Sequence, residues 1–429
     1  MKVAFYTLGC KVNQYETQAM EQMMTARGHQ LVPFEGEADA YVINTCSVTA
    51  VSDKKSRQMI RRARKAAPDA ILAVCGCYAQ THPEDMADLS IDLVAGTGDR
   101  AGFADLLEQT WRERQPVTAL DNAMSRRHFE VLPAGGLEGR TRAMLKVEDG
   151  CVNFCTYCII PYARGPVRSL PMDKAAEQVR ALRAQGYREL VVTGIEISSY
   201  GQDLKDGTSI IDLLELIARE GGEMRIRLGS LEPRTVTREF CERAKKLPTL
   251  CPHFHLSMQS GCDATLRRMN RRYDTARYYE SVELLREYFD DPAITTDLIT
   301  GFPEETEEEF GETLAFIEKC GFAAMHIFPY SVRPGTKAAA MAQVDMSVRE
   351  ERAARAAAVA ERMHQGYLAR CVGKSFPVLF EQDRGEGSVG HAPNYMPVTV
   401  GMKGLHNTVQ NVRITAVDGD GLRGEPEET

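Results

Sequence analysis

The stretch Gly150-Cys151-Val152-Asn153-Phe154-Cys155-Thr156-Tyr157-Cys158 places three cysteines in the spacing Cys-x-x-x-Cys-x-x-Cys, directly after a short strand-like run. A cubane of four irons and four sulfurs needs a ligand on each iron, and cysteine thiolates are the usual ligands. Three thiolates on one loop leave the fourth iron open to a small molecule. A zinc knuckle is the alternative, but zinc normally takes four ligands grouped in pairs, and no fourth Cys or His lies nearby in the sequence. The spacing therefore predicts an iron–sulfur site with one open iron.

The composition indicates a chain of several domains in a reducing compartment. With 429 residues and 43% hydrophobic content, the chain is long enough for two or three cores. It starts as a strand, without the long apolar segment of a signal peptide, and no stretch approaches the roughly 18 apolar residues of a membrane span. Twelve cysteines spread over this length favour metal binding or redox chemistry in the cytoplasm over a disulfide framework.

The charge pattern leaves room for local contacts with RNA. The formal net charge of −8 argues against a surface coated in positive charge. Residues 54–65 nevertheless hold seven Lys or Arg residues and no acid, within a predicted helix over 52–66. Arg57, Arg61 and Arg64 share one face of that helix, and they are the candidates for RNA contact. Charge runs are also found on plainly solvated faces, so that alternative stays open.

Residues 1–115 alternate strand-like and helix-like patterns, which predicts an α/β domain with a doubly wound parallel sheet. Each of the first three strands is followed by cysteine: Cys10, then Cys46, then Cys75 and Cys77. Ligands of open α/β sheets gather beyond the carboxyl ends of the strands, so thiols in this register predict a second metal site. Cys77 is preferred over Cys75 because it lies one glycine farther on, outside the strand. Ordinary buried cysteines are the alternative.

Residues 142–345 continue with six strand–helix repeats. Six repeats are too few to close an eight-stranded barrel, so we expect an open, partial (βα)6 barrel of the TIM type. Active sites of such barrels lie at the carboxyl ends of the strands, where the loop with the three cysteines also lies. No catalytic residue is assigned beyond the cysteines, and the role of Glu196 is left open. The candidate cofactor-binding residues at this end are Tyr157, Gly194, Glu232 and Gln259.

The remaining segments connect or follow these two domains. Residues 116–141 contain Pro and Gly without a steady period, which indicates a linker. Residues 346–371 form a charged, Ala-rich helix that bridges to the last domain. Residues 372–429 contain short β runs separated by Gly, which predicts a small antiparallel β-barrel, an architecture often used for RNA. The slightly acidic balance of this barrel does not itself support RNA binding.

Motifs over nearly the whole chain resemble the methylthiotransferases, a family of radical S-adenosylmethionine (radical SAM) enzymes with an N-terminal α/β domain, a partial barrel and a C-terminal TRAM barrel. In the first domain the matching stretches are residues 7–17 (TLGCKVNQYET), 44–49 (NTCSVT) and 76–80 (GCYAQ). In the barrel they are residues 151–165, 259–261 (QSG), 296–303 (TDLITGFP) and 328–331 (FPYS).

The resemblance implies two [4Fe–4S] clusters and S-adenosylmethionine as cofactors. The radical-generating cluster would be ligated by Cys151, Cys155 and Cys158. An auxiliary cluster that delivers sulfur would be ligated by Cys10, Cys46 and Cys77. The implied reaction inserts sulfur at carbon 2 of an adenine and methylates it, and this C–H bond is inert to ordinary acid–base chemistry. The resemblance also implies an electron donor such as flavodoxin or ferredoxin, a monomeric enzyme and no membrane contact.

The opening of the chain narrows the implied substrate. Residues 8–17 (LGCKVNQYET) are similar to the bacterial branch that acts on N6-threonylcarbamoyladenosine beside the tRNA anticodon, which makes the anticodon stem–loop of tRNA the implied partner. Two sister branches act on isopentenyladenosine in tRNA and on an aspartate of a ribosomal protein. They differ in the residues after the first Cys, and they remain alternatives. A non-catalytic, metal-bearing RNA-binding protein is a more distant alternative.

Overall fold

The first domain is a six-stranded parallel sheet in the order β2-β1-β3-β4-β5-β6. The computed structural model describes residues 1–135 and 140–427. The strands are β1 Lys2–Thr7, β2 Gln30–Leu31, β3 Ala40–Thr45, β4 Ile71–Gly76, β5 Leu93–Ala95 and β6 Val117–Ala119. The helices are α1 Lys11–Ala26, α2 Ala50–Ala66, α3 Cys77–Thr81 and α4 Arg100–Glu113. Helices α1 and α4 cover one face of the sheet and α2 covers the other, which confirms the doubly wound arrangement.

The segment predicted to be a linker, residues 116–141, contains the last strand of this sheet. Strand β6 pairs in parallel with β5, with Val117 opposite Leu93. Leu132 is buried against Tyr15 of α1. The predicted linker therefore contains an ordered edge strand and a buried side chain, which the sequence did not reveal because a three-residue strand gives too short a pattern to recognise. Residues 136–139 of the segment lie outside the described residues.

The second domain is the predicted partial barrel, with six parallel positions in its wall. The strands are β7 Arg142–Lys146, β8 Glu148–Asp149, β9 Arg168–Ser169, β10 Glu189–Thr193, β11 Arg225–Leu228, β12 Ser230–Leu231, β13 His253–Leu256, β14 Ala293–Thr300 and β15 Ala324–Pro329. The wall order is β7-β10-β11 and then β12-β13-β14-β15. Gly229 divides one wall position into β11 and β12. Strands β8 and β9 form a separate antiparallel pair beside the cysteine loop.

Helices pack outside this wall and make the largest apolar core of the protein. They are α6 Met172–Ala184, α7 Ile210–Gly221, α8 Arg238–Ala244, α9 Asp263–Arg268, α10 Thr275–Tyr288 and α11 Glu307–Cys320, whereas the short helix α5 Ile160–Arg164 follows the cysteine loop and contacts α3 of the first domain. Side chains on the outer faces of the strands, such as Leu145, Leu190 and Ile226, are completely buried against them. The hydrophobic side of the wall therefore faces the helices and leaves the opposite side for polar groups.

The chain ends in the predicted bridging helix and a small barrel. Helix α12 spans Met346–Cys371. It leads to β16 Ser375–Arg384, β17 Gly387–His391, β18 Pro397–Val400, β19 Val409–Asp418 and β20 Gly421–Pro426, which close a barrel in the order β16-β17-β18-β20-β19. The β18–β20 pair is parallel, so the expectation of a purely antiparallel barrel needs this correction. Strands β17 and β20 escaped prediction because each contains glycine.

In residues 1–135 and 140–427, no helix has the length and apolar character needed to cross a membrane.

Candidate active site

The loop that carries the three barrel cysteines is fixed at both ends by backbone hydrogen bonds. The Cys151 amide donates to the Gly165 carbonyl at 3.0 Å, and the Cys158 amide donates to the Cys155 carbonyl at 2.9 Å. Gly150 has φ +93°, and a Cβ at this position would collide with the backbone of the segment returning from α5. The turn therefore needs glycine directly before the first cysteine.

The thiols of this loop are partly exposed, and they suit a cubane better than a single metal ion. Burial raises the pKa of Cys151, and it raises the pKa of Cys158 to about 12, with further contributions from neighbouring thiols. Iron would replace these protons, because the thiolate is the form that binds metal. Over the described ranges, no three His, Cys, Asp or Glu side chains converge on one metal position. A cubane does not require such convergence, since each thiolate binds a different iron.

Arg271 supplies positive charge to this loop from the other side of the barrel. Its Nη1 lies 3.3 Å from Sγ of Cys155, and its Nε donates to the hydroxyl of Tyr273 at 2.9 Å. The neighbouring Asn270 donates to the two backbone carbonyls before Cys155, both at 3.1 Å. The guanidinium of Arg271 is thus in direct contact with the Cys155 sulfur. The sequence marks Arg271 only as basic, because 116 residues separate it from its partner.

The second cysteine group lies at the carboxyl edge of the N-terminal sheet, where the strand order reverses between β1 and β3. Cys10 is exposed, whereas Cys46 and Cys77 are buried. Burial, with smaller contributions from the thiols of Cys10 and Cys46, raises the pKa of Cys77 to about 12. Cys77 is the first residue of α3 and not a loop residue. Cys75 is completely buried in the core of the sheet.

Gly9 and Asn13 bring the first two loops of this group together. A Cβ on Gly9, which has φ +104°, would lie 2.7 Å from Cβ and 2.8 Å from Sγ of Cys46. Asn13 donates from Nδ2 to the carbonyls of Leu8 at 2.8 Å and Thr45 at 3.0 Å. These contacts leave a cradle that a larger residue would fill, which fits the close approach of a cluster to the backbone.

A network of buried charges lies between the two cysteine groups. The carboxylate of Glu16, on α1, forms ion pairs with Arg100 at 2.9 Å and with Lys146 at 2.8 Å. Asp149 lies 2.8 Å from Lys146 and 3.2 Å from Arg168. None of these side chains is more than 8% exposed. The complete network consists of Glu16, Arg100, Lys146, Asp149, Arg164 and Arg168.

Arg164 is the member of the network that reaches both cysteine groups. It follows the barrel cysteines on α5, forms an ion pair with Glu16, and donates to Oδ1 of Asn13 at 2.8 Å. Burial raises the pKa of Cys77, and the charge of Arg164 opposes that rise. The Cys77 thiol in turn contributes to the raised pKa of Cys158. Arg164 therefore joins the helix that follows the barrel cysteines to Glu16 and Asn13, which follow Cys10 in the first domain.

Four cations of the network face only two carboxylates. Burial opposes ionisation of Glu16, but Arg164, Lys146 and Arg100 hold its pKa well below its usual range. The same balance lowers the pKa of Asp149 to about 2. The excess positive charge suits an anionic, thiolate-ligated cluster on each side.

A polar cavity of about 280 Å³ lies beside the barrel cysteines, and its lining includes Glu196, Glu232 and Arg234. Burial raises the pKa of Glu196 to about 7, although Arg271 opposes the shift. Glu148 accepts the Glu196 amide at 2.7 Å. The cavity thus offers carboxylates and a guanidinium to a ligand with amino, hydroxyl and carboxylate groups, which are the polar groups of S-adenosylmethionine.

The four predicted cofactor-binding residues do not all line this cavity. Glu232 lines the cavity. Gly194 lies behind the cavity wall, and a Cβ on Gly194 would come within 2.9 Å of Oε2 of Glu148. Tyr157 instead packs under the cysteine loop, with its ring 6.4 Å from that of Phe302. Gln259, at φ +68°, joins β13 to β14 through its backbone amide and carbonyl. Tyr157 and Gln259 are therefore placed to support the site from beneath.

The predicted RNA-binding arginines of α2 differ in how free they are. Arg64 donates to Asp92 at 2.5 Å and to three backbone carbonyls. Arg57 donates to the Tyr78 hydroxyl at 2.5 Å. Both are thus engaged by the protein itself, whereas Arg61 is exposed. The exposed cations of the same helix are Lys54, Lys55, Arg61, Arg62 and Lys65.

Comparison with known proteins agrees with this geometry. Residues 145–317 match the Radical SAM superfamily, and residues 2–96 match the Uncharacterized protein family UPF0004. Threonylcarbamoyladenosine tRNA methylthiotransferase MtaB of Bacillus subtilis (strain 168) is 42% identical over 96% of this chain and 92% of that protein. MtaB of Aquifex aeolicus (strain VF5) is 39% identical over 90% and 94%. The tRNA-2-methylthio-N(6)-dimethylallyladenosine synthase of Symbiobacterium thermophilum is 34% identical over 99% and 94%.

Among solved structures, the radical S-adenosylmethionine methyltransferase TsrM from Kitasatospora setae has a TM-score of 0.57 at 14% identity, covering 79% of this chain and 77% of that chain. This likeness shows a shared fold. The fold and the cysteine loop of the barrel define a radical SAM enzyme. The chain belongs to the methylthiotransferase family of these enzymes. Its membership sets aside the non-catalytic RNA-binding alternative.

Proposed function

We propose that this enzyme converts N6-threonylcarbamoyladenosine in tRNA to its 2-methylthio derivative. The observation that carries the proposal is the presence of two three-cysteine groups, one on the barrel loop and one at the carboxyl edge of the N-terminal sheet, with the buried ion pair of Arg164 and Glu16 joining the two domains. Two relatives named for threonylcarbamoyladenosine are 42% and 39% identical to this chain, against 34% to 35% for three relatives named for dimethylallyladenosine. Those values favour threonylcarbamoyladenosine as the substrate.

The cysteine groups would hold the two cofactor clusters. When bound, the clusters and S-adenosylmethionine supply an electron, the 5′-deoxyadenosyl radical that removes hydrogen from carbon 2, the sulfur and the methyl group. The radical-generating cluster would be held by Cys151, Cys155 and Cys158, and the auxiliary cluster by Cys10, Cys46 and Cys77.

Other side chains position these parts. Glu232 and Glu196, with Gly194 behind them, would bind S-adenosylmethionine in the cavity beside Cys155. Nη1 of Arg271 lies 3.3 Å from Sγ of Cys155, where it would position this cluster ligand. The buried charge network fixes the N-terminal domain against the barrel, and positioning of this kind supplies much of the rate in a reaction between two held groups.

The tRNA would approach along α2. The first turn of this helix docks on the loop after β15, where the Ala50 amide donates to Ser331 at 3.0 Å and Arg333 pairs with Asp53 at 2.5 Å. The exposed cations of α2 would bind phosphates of the anticodon stem–loop. An electron donor such as flavodoxin or ferredoxin would complete the reaction, with the enzyme acting as a monomer.

The test is nucleoside mass spectrometry of tRNA from cells that lack this protein. These cells should lose 2-methylthio-N6-threonylcarbamoyladenosine and accumulate the form without the methylthio group. A plasmid copy should restore the product, and a Cys155→Ala copy should not. Loss of the 2-methylthio derivative of dimethylallyladenosine instead would assign the enzyme to the second candidate reaction, the one named for the 34% identical relative.

A further inference from the structure

A second cavity, of about 510 Å³, opens beside Cys10 between α1 and the strands β7, β10 and β11. One wall is the face of α1 that presents Lys11, Gln14 and Gln18 at helical spacing. Its lining shares no residue with the cavity that contains Glu196 and Glu232. Space for a substrate group is therefore available next to the auxiliary cysteine site and apart from the cofactor cavity.

The cations of this cavity differ in their availability. Arg227 donates to Glu189 at 2.7 and 2.9 Å, and Arg142 pairs with Glu381 at 2.8 Å. Lys11 is exposed and lines the cavity, yet it has no ion pair or side-chain hydrogen bond with any residue of 1–135 or 140–427. Arg140 also lines the cavity, and its charge opposes the rise that burial causes in the pKa of Glu21. Lys11 is thus a lining cation that pairs with no carboxylate of the described residues.

The charge of Lys11 acts toward the inside of the barrel. Burial lowers the pKa of His253 in β13, and the charges of Arg227 and Lys11 lower it further. Lys11 lies on α1, in the first domain, whereas His253 lies in the wall of the second. The lysine therefore lies close enough to the barrel wall for its charge to act there, on the cavity that α1 shares with β7, β10 and β11.

The chemistry of the proposed substrate matches this position. Carbon 2 and the exocyclic N6 of adenine both lie on the Watson–Crick edge of the base, on either side of N1. Sulfur that reaches carbon 2 from the Cys10 side places the group on N6 next to the residues that follow Cys10. A threonylcarbamoyl group carries a carboxylate, a hydroxyl and a urea, whereas a dimethylallyl group carries no polar atom.

We infer that Lys11 binds the carboxylate of the threonylcarbamoyl group, with Gln14 and Gln18 placed for its hydroxyl and urea. The inference rests on the proposed function and adds the side chain that selects the substrate. A hydrogen bond to a charged group contributes enough that its loss should weaken binding roughly tenfold to a hundredfold. A neutral cavity would gain nothing from the carboxylate.

The test compares two RNAs on the holoenzyme with both clusters. One is an anticodon stem–loop with N6-threonylcarbamoyladenosine, and the other is identical except that its threonyl carboxylate is converted to the amide. Anaerobic fluorescence anisotropy gives the Kd of each. The wild type should bind the carboxylate RNA at least roughly tenfold more tightly. Lys11→Met should bind the two RNAs equally, and Lys11→Arg should restore most of the difference.

The matched control is Lys2→Met, at the opposite end of β1, which should behave as the wild type. In every variant, iron content and 5′-deoxyadenosine formed without RNA should match the wild type. The inference is wrong if Lys11→Met still binds the carboxylate RNA more tightly than the amide RNA. It is also wrong if the Kd values of both RNAs rise by the same factor, because the ratio between them is then unchanged. If the wild type methylthiolates neither RNA, the proposed function itself fails, and that result is separate from the behaviour of Lys11.

Discussion

The central barrel meets its two neighbours through interfaces of different character. Toward the N-terminal domain, buried charges pair with one another and face cysteine thiols. Toward the C-terminal barrel, Arg225 and Arg227 share the carboxylate of Glu189 and donate to backbone carbonyls, such as that of Pro393 at 2.8 Å. Tyr395 covers Arg227, with the guanidinium 4.6 Å from the ring centre.

The two interfaces differ in whether their buried charges lie next to the cysteine groups. At the C-terminal interface Arg225 and Arg227 contact Glu189, carbonyl oxygens and an aromatic ring, and neither cysteine group lies there. The N-terminal interface keeps an excess of positive charge next to groups that become anionic when they bind iron. We therefore expect substitutions in the first interface to affect the clusters and substitutions in the second to affect stability alone.

The largest effect on stability is expected for Glu16→Gln. The change leaves three buried cations without their shared carboxylate, and breaking such a contact should cost about 3–5 kcal/mol of unfolding free energy. Anaerobic denaturant titration measures this loss. Glu108→Gln is the control, because Glu108 pairs with Arg27 and His29 near the surface and should cost under about 1 kcal/mol.

The loss of unfolding free energy in Glu16→Gln, relative to the wild type, should also depend on pH. The folded protein holds the pKa of Glu16 well below its usual 4.5. A carboxyl with a lowered pKa contributes its full stability above the unfolded value and loses it as the pH falls through the folded value. The gap between the two proteins should thus stay constant from about pH 6 to pH 8 and narrow below about pH 4.5. A gap that widens in acid would contradict this assignment.

Arg164→Met should act first on the auxiliary site. Without its guanidinium the Cys77 side loses positive charge and Asn13 loses its anchor, so the reconstituted protein should hold less iron than the wild type. Formation of 5′-deoxyadenosine should persist, because the barrel loop is fixed by its own hydrogen bonds. Arg180→Met, at an exposed pair with Glu220, is the control. Unchanged iron content in Arg164→Met would remove the proposed link between network and cluster.

A smaller effect is expected at the other interface. Tyr395→Ala removes the ring that covers Arg227, which should lower the unfolding free energy by roughly 1–2 kcal/mol. Iron content and 5′-deoxyadenosine formed without RNA should match the wild type, since neither cysteine group lies at this interface. Loss of iron in Tyr395→Ala would show that the two interfaces are not separate in function.

The smallest effect on stability is expected for the exposed cations of α2. Changing Lys54, Arg61 and Lys65 to Ala should leave the unfolding free energy nearly unchanged and weaken tRNA binding. The log–log salt slope should fall by roughly one unit for each lost phosphate contact. The control replaces Arg219, Lys245 and Lys246, which are exposed on the barrel. If the salt slopes of tRNA binding are equal in the two triple variants, the cations of α2 do not contact tRNA and only face solvent.

The sequence predicted what depends on local patterns. Six buried strands in the barrel and a cysteine after each of three strands repeat regularly, so the fold class and the two cysteine groups follow from spacing. Strands β6, β17 and β20 were missed, because short or glycine-containing edges give little periodic signal. The bounds of the helix that became α2 were close, since its apolar positions recur at helical spacing.

The sequence could not show which charged residues meet. Glu16 and Arg164 are 148 positions apart, and Arg271 and Cys155 are 116 apart. A charged residue in a helix pattern is ordinarily taken as exposed, and nothing local marks the buried ones. The same limit applies to α2, where Arg57 and Arg64 look like Arg61 in sequence but bind the protein itself.

The central claim is that the two cysteine groups have separate roles in one reaction. It is tested most directly by incubating reconstituted Cys46→Ala enzyme with S-adenosylmethionine, a reductant and tRNA, and measuring both products by mass spectrometry. We expect the Cys46→Ala enzyme to form 5′-deoxyadenosine without any methylthio nucleoside, whereas Cys155→Ala should form neither product. Methylthio nucleoside at the wild-type level from Cys46→Ala, or no 5′-deoxyadenosine from it, would contradict the division of roles.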